Sequence, residues 1–190
     1  MASKAPQRMT LAELLEWDEG TDRRYQLVDG VPVMMAPTLE GHGELAINIG
    51  AEVRSRLLPP CRVIGEARVT IPARKDTFYV ADLAITCAPR EPERRMVAEP
   101  VVIVEVLSPS TGPLDRWRKV ADYLPTVEAI VVAFADERRI ELQRRTAEGW
   151  RVEDLIGRAE LELPRCATPI PLDALYEGLL EDVSGAESES

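Results

Sequence analysis

The stretch VVIVEVLSPST, Val101–Thr111, decides how this chain is read. Five of its first seven residues are β-branched, and only Glu105 interrupts the apolar run. Such a run suits a strand at the centre of a sheet, buried on both faces. SPSTGP then supplies cap residues and sets Pro113 near a first helical position. There its missing N–H costs nothing, so DRWRKVADYL is expected to form a helix to about Leu124. AIVVAFA, Ala129–Ala135, is a second apolar strand.

Outward from this centre the chain alternates between the two periods. Thr10 and Glu13 make a capping-box pattern ahead of Leu11, Leu14 and Leu15, which predicts a short helix ending near Gly20. RRYQLVDGVPVMMAP reads as a hairpin turning at Asp29-Gly30. Leu45, Ile49, Val53 and Leu57 recur at a spacing of four between Pro37 and Pro59-Pro60, predicting a long helix over Leu39–Leu58. CRVIGEARVTIP and FYVADLAIT follow as strands around a polar ARKD turn. RRIELQRR and GWRVEDLI read as edge strands of a hairpin, and Leu172–Leu179 as a closing helix. The order predicts one α/β or α+β domain over residues 10–180, a mixed sheet flanked by helices. Residues 1–9 and the acidic tail 181–190 are expected to be disordered.

Composition narrows the chemistry. With 190 residues, 45% hydrophobic and 29% charged, the chain fits one globular domain. It contains neither a membrane-length apolar run nor a signal-peptide stretch, so a cytosolic protein is expected. Cys61, Cys87 and Cys166 form no CxxC pair and are read as small core residues rather than a disulfide framework. The lone histidine, His42, excludes sites that need two imidazoles, leaving carboxylates to hold a hard ion, magnesium or manganese. The net charge of −10 has the wrong sign for capturing nucleic acid over the whole surface. Four of the excess acids lie in the tail, however, and 20 of the 23 basic residues are arginine, the better phosphate fork.

Two acids stand inside apolar strands: Asp82 in YVADLAI and Glu105 in VVIVEVL. A carboxylate there must be paired, protonated or bound to a cation. If the two strands are neighbours in register, both acids face one cleft, where a divalent ion satisfies both. The alternative is that each ends a strand or pairs with an arginine. Lys119, on the helix after the Glu105 strand, can reach back over the strand ends; an intrahelical pair with Asp115 is its alternative. Gln26 reads as a plain strand residue and His42, in GHG, as a solvated or capping residue.

RYQLVDG, MMAPTLEGH, VADLAI, VVIVEVLSPST and DRWRKVADYL, in this order, resemble the bacterial Uma family of restriction-endonuclease-like proteins, a branch of the PD-(D/E)XK nuclease superfamily. EVLSPST followed by D-R-x-x-K-x-x-x-Y is the most specific block, and the likeness runs from about Thr10 to Leu180. The resemblance implies a restriction-endonuclease-like mixed central sheet flanked by helices. It further implies magnesium- or manganese-dependent endonuclease action on DNA. Asp82, Glu105 and the Val106 carbonyl would hold the ion and Lys119 would act in catalysis, with Gln26 and His42 as auxiliaries. Leu107 stands where the superfamily lysine usually lies, and the lysine on the following helix corresponds to Lys119. Gln26 replaces a common family acid, and Ala81 a proline. These departures keep a second expectation in view, a nuclease-fold relative acting as a binding or regulatory module. An assembly protein pairing through RRIELQRR is a third, and a homodimer stays open. No residue in the scheme reads a base, so no sequence preference is expected.

Overall fold

The computed structural model describes residues 8–17, 24–107 and 113–180, the side chains of 113–116 excepted. Both proposed disordered segments lie largely outside these residues. In chain order the elements are α1 (Leu11–Glu16), β1 (Tyr25–Val28), β2 (Val31–Met34), α2 (Glu40–Arg56), β3 (Arg62–Thr70), β4 (Phe78–Thr86) and β5 (Pro100–Leu107). They continue with α3 (Pro113–Tyr123), β6 (Ala129–Phe134), β7 (Arg139–Thr146), β8 (Gly149–Ile156), β9 (Glu160–Leu161), β10 (Ile170–Pro171) and α4 (Leu172–Leu175).

One sheet runs β2-β1-β4-β5-β6-β7-β8, with β3 along the other edge of β4. All its pairings are antiparallel except β5–β6, where parallel strands require a crossover and α3 supplies it. β5 is therefore central, as its composition demands, and is buried from Val102 to Leu107.

The sheet has a core on each face. Leu45, Ile49 and Val53 of α2, spaced four apart, pack with Val104, Val106 and Val131 beneath α4. On the opposite face Val120 and Tyr123 of α3 cover Ile103, Ile130 and Val132. Each such side chain contributes roughly 1.5–3 kcal/mol of burial. A third cluster joins Leu14 of α1 to Leu27, Phe78 and Val80.

The hairpin turn is built as its residues require. Asp29 (φ +50°) and Gly30 (φ +77°) both lie in the left-handed region that a two-residue turn demands. A Cβ on Gly30 would come within 3.2 Å of the Met9 carbonyl, because Met9 N–H donates to the Gly30 carbonyl at 2.8 Å.

Four expectations are corrected. Cys61 and Cys87 form a disulfide. Arg62 pairs with Thr86, so the antiparallel register sets the two flanking cysteines opposite each other, a proximity that sequence spacing hides. RRIELQRR is not an edge: β7 is paired on both sides by β6 and β8, with Glu141 and Gln143 buried, so within this hairpin the open edge belongs to β8. α1 stops at Glu16, where Trp17 turns extended, and Gly20 lies outside the described residues. The closing helix is only four residues long, and its chain leads to Gly178 at φ +78°. The small β9–β10 sheet was not legible in advance. Among the described residues no helix is long and apolar enough to cross a membrane.

Candidate metal and catalytic site

β4 forks the sheet. Along one edge it pairs with β3 from Phe78 to Thr86 with one rung missing; along the other it meets β1 at Phe78 and β5 only from Leu83 onward. Asp82 stands in the crotch of this fork. The Leu83–Val104 pair, continued by one residue, sets Asp82 opposite Glu105. On the β3 side the Glu66–Asp82 rung is the one missing from the ladder, and Glu66 takes φ +47°. Backbone irregularity thus concentrates beside the acid, a placement common at functional sites.

The side chains converge. Asp82 Oδ2 accepts the Val106 N–H at 2.7 Å, and Oδ1 lies 2.9 Å from His42 Nε2. In a strand a residue's N–H and C=O leave by the same edge, so the Val106 carbonyl faces the fork as well. Glu105 Oε1 accepts from the Tyr123 hydroxyl at 2.9 Å, and Lys119 Nζ approaches Oε2 at 3.4 Å. Lys119 and Tyr123 are four apart on α3 and so share a helix face. The Tyr79 ring packs edge-on against Tyr123, and its hydroxyl donates to Asp122 at 2.7 Å.

Burial pushes the Glu105 carboxyl above its usual range; Lys119 pulls it down, while the charge of Asp82 raises it further. The hydrogen bond to Asp82 holds the His42 imidazolium above its ordinary value against desolvation. Neither acid is neutralised by an arginine in the described residues; His42 and Lys119 take that place.

Gln26 sits apart from this set. It lies on β1 two residues before Val28, and so shares the face by which Val28 packs against the α3-side core. Its Oε1 is buried and has no hydrogen-bond partner. The oxygen donors at the fork are two carboxylates and a backbone carbonyl, all hard donors suited to magnesium or manganese. Among the described residues no three His, Cys, Asp or Glu side chains form a chelating group, so such an ion would keep several waters, as magnesium habitually does.

His42 was expected to be solvated or capping. Instead it is half-buried against Asp82, and the α2 N-cap, Leu39, has no side-chain cap at all. The Asp115 alternative for Lys119 falls on a side chain outside the described residues. Tyr123 was present in the D-R-x-x-K-x-x-x-Y spacing but received no role; its signal was a hydroxyl on the same helix face as the lysine. Tyr79 and Asp122 carried no sequence signal.

Comparison with known proteins gives the fold and the family. A solved structure described as a "putative nuclease belonging to DUF820" from Anabaena variabilis superposes with a TM-score of 0.74 at 19% identity, covering 90% of this chain and 99% of that one, a likeness of fold. An uncharacterized protein of Synechocystis sp., slr1290, is 24% identical over 177 residues, 90% of this chain and 93% of its own length. The model of the Uma2 family, described as "Putative restriction endonuclease", matches residues 11–169, and the chain belongs to that family.

Proposed function

We propose that the fork is the active site of a magnesium- or manganese-dependent endonuclease that hydrolyses phosphodiester bonds in DNA. The observation that carries this reading is the meeting of Asp82 and Glu105 across the β4–β5 opening, with Lys119 Nζ 3.4 Å from Glu105. Two acids in register, one of them buried, form a site whose charge calls for a cation. A bound divalent ion supplies neutralisation of the phosphate charge and a lowered pKa for an attacking water.

The chain's own groups do the rest. Asp82, Glu105 and the Val106 carbonyl would hold the ion, with the Gln26 amide as an auxiliary that could hydrogen-bond a water on it. Tyr123 fixes the Glu105 carboxylate by its hydroxyl, and the Asp82 carboxylate is fixed by the Val106 N–H. The Lys119 ammonium is placed to donate to the attacking water or to a phosphate oxygen as charge grows there. His42 holds a proton on the far side of Asp82.

The test is nicking of supercoiled plasmid with magnesium or manganese. Asp82→Ala and Glu105→Ala should each abolish it while circular dichroism stays unchanged. Intact single- and double-stranded DNA and RNA with either metal would overturn the proposal. Two observations favour a second reading, a binding or regulatory module without catalysis: Asp82 already has a His42 partner, and Gln26 is neutral. Calorimetry tests whether the fork is purely structural, since tight magnesium binding that needs both acids counts against that role, and the nicking assay separates a catalytic fork from one that only binds.

A further inference from the structure

Between the outer edge of β3 and the loop joining β4 to β5 lies a groove of about 780 Å³. Six arginines line it, Arg54, Arg62, Arg68, Arg90, Arg94 and Arg95, against only two acids, Glu66 and Glu91. The lining therefore carries a net +4 on a chain of net −10. Both acids are already taken, Glu66 by Arg24 and Glu91 by Arg94. Arg62 donates to the Ala88 carbonyl. Arg54, Arg68, Arg90 and Arg95 are exposed and have no ion-pair partner among the described residues. Elsewhere most arginines are neutralised: Arg74 and Arg118 by Asp29, Arg139 by Asp154, Arg165 by Glu128. Unneutralised positive charge is thus gathered in one concavity.

We propose that this groove binds the phosphate backbone of a duplex nucleic acid, as an anchoring site separate from the Asp82–Glu105 fork. Arginine guanidinium forks match phosphate oxygens in geometry as well as charge. The lining contains no Phe, Tyr, Trp or His, so it offers no surface on which unpaired bases stack. Sites for single strands rely on such stacking, whereas backbone contacts alone suffice for a duplex. The location fits a shared ligand. Arg68 pairs with Val80 and Ala67 with Ala81, so the groove's wall lies one strand spacing, about 5 Å, from the strand that carries Asp82. Backbone contacts of this kind carry no sequence information.

The experiment is fluorescence anisotropy of labelled 20-base-pair duplexes, DNA in one arm and RNA in another, against the full chain in EDTA, so that no cleavage is involved. Wild type should bind duplex more tightly than a single strand of the same length. The Arg68→Ala/Arg90→Ala/Arg95→Ala variant should bind at least tenfold more weakly, with the slope of log K against log salt reduced by about 3. Arg151→Ala/Arg158→Ala, at the far β8 end of the sheet, should bind as wild type. If the triple variant unfolds, Arg90→Ala and Arg95→Ala singly, both in the surface loop, should each lower the slope by about 1. Whichever duplex binds more tightly names the source of the phosphates. Unchanged affinity and slope in the arginine variants, or preference for the single strand, overturns the proposal. Because binding is read without metal, a chain that binds but never cleaves sinks only the hydrolytic reading, and one that cleaves with an idle groove sinks only this one.

Discussion

Glu105→Gln should stabilise the metal-free protein while abolishing its metal response. Glu105 is 8% exposed and has two partners, Tyr123 at 2.9 Å and Lys119 at a long 3.4 Å. A carboxylate offers about four lone-pair sites, so roughly half are left without partner or solvent. Glutamine keeps the shape and the Tyr123 acceptor but removes the buried charge. Lys119, still partly exposed, can turn its ammonium to water. The scale for an imperfectly satisfied buried polar group is about 1–3 kcal/mol, and a gain of about 1–2 kcal/mol should raise Tm by roughly 2–8 °C at this chain length. The pH dependence has a definite sign. A carboxyl raised on folding binds its proton more tightly in the native state, so the wild type is best off at acid pH. It loses stability as pH climbs from the unfolded value through the folded one. The variant's advantage should therefore be present at pH 7 and vanish near pH 4. Magnesium should reverse the order, since an ion at one hundred times its Kd stabilises only the wild type, by about 3 kcal/mol. Thermal melts at pH 4 and 7, with EDTA and with magnesium, read all of this. A variant that melts lower than wild type at pH 7 in EDTA, or gains as much from magnesium, refutes the account of Glu105.

Three further outcomes follow from neighbouring contacts. His42 is the only histidine, so its NMR titration is unambiguous. Its midpoint should lie above the usual imidazole value and fall back toward about 6.5 in Asp82→Asn, and an unmoved midpoint would remove the His42–Asp82 contact from the site. Tyr123→Phe leaves Glu105 Oε1 without its donor and should cost about 1–3 kcal/mol in urea unfolding while lowering cleavage; a smaller Tyr123→Phe cost in a Glu105→Gln background than in wild type would tie the loss to that one bond. Reducing the Cys61–Cys87 bond, or Cys61→Ser, reopens a loop of sequence separation 26 and should cost about 3–4 kcal/mol on the loop-entropy scale. Such bonds are rare in a reducing cytosol, so thiol labelling of protein taken directly from cells tests both the pairing and the cytosolic expectation.

What could be read in advance was whatever depends on neighbours in the chain. Asp29-Gly30 demanded left-handed backbone, the four-residue spacing of Leu45, Ile49 and Val53 demanded a helix face, and the β-branched Val101–Leu107 run demanded a covered strand. Asp82 and Glu105 stood out for the same local reason, a charge amid apolar residues. The partners were not local. Only the fork between β1 and β5 explains why Asp82 lies beyond the last β4–β5 pair, and only the helix packing brings His42 and Tyr123 onto the two acids. The Cys61–Cys87 bond depends on a register that no spacing encodes, and the interior place of β7 on β8 covering its other side. The arginine groove is likewise assembled from α2, β3 and the β4–β5 loop. The chemical repertoire and the periodicities are written along the polypeptide because they are properties of single residues and turns. Which groups share a cleft is a property of strand register and helix docking, fixed by burial summed over the whole sheet.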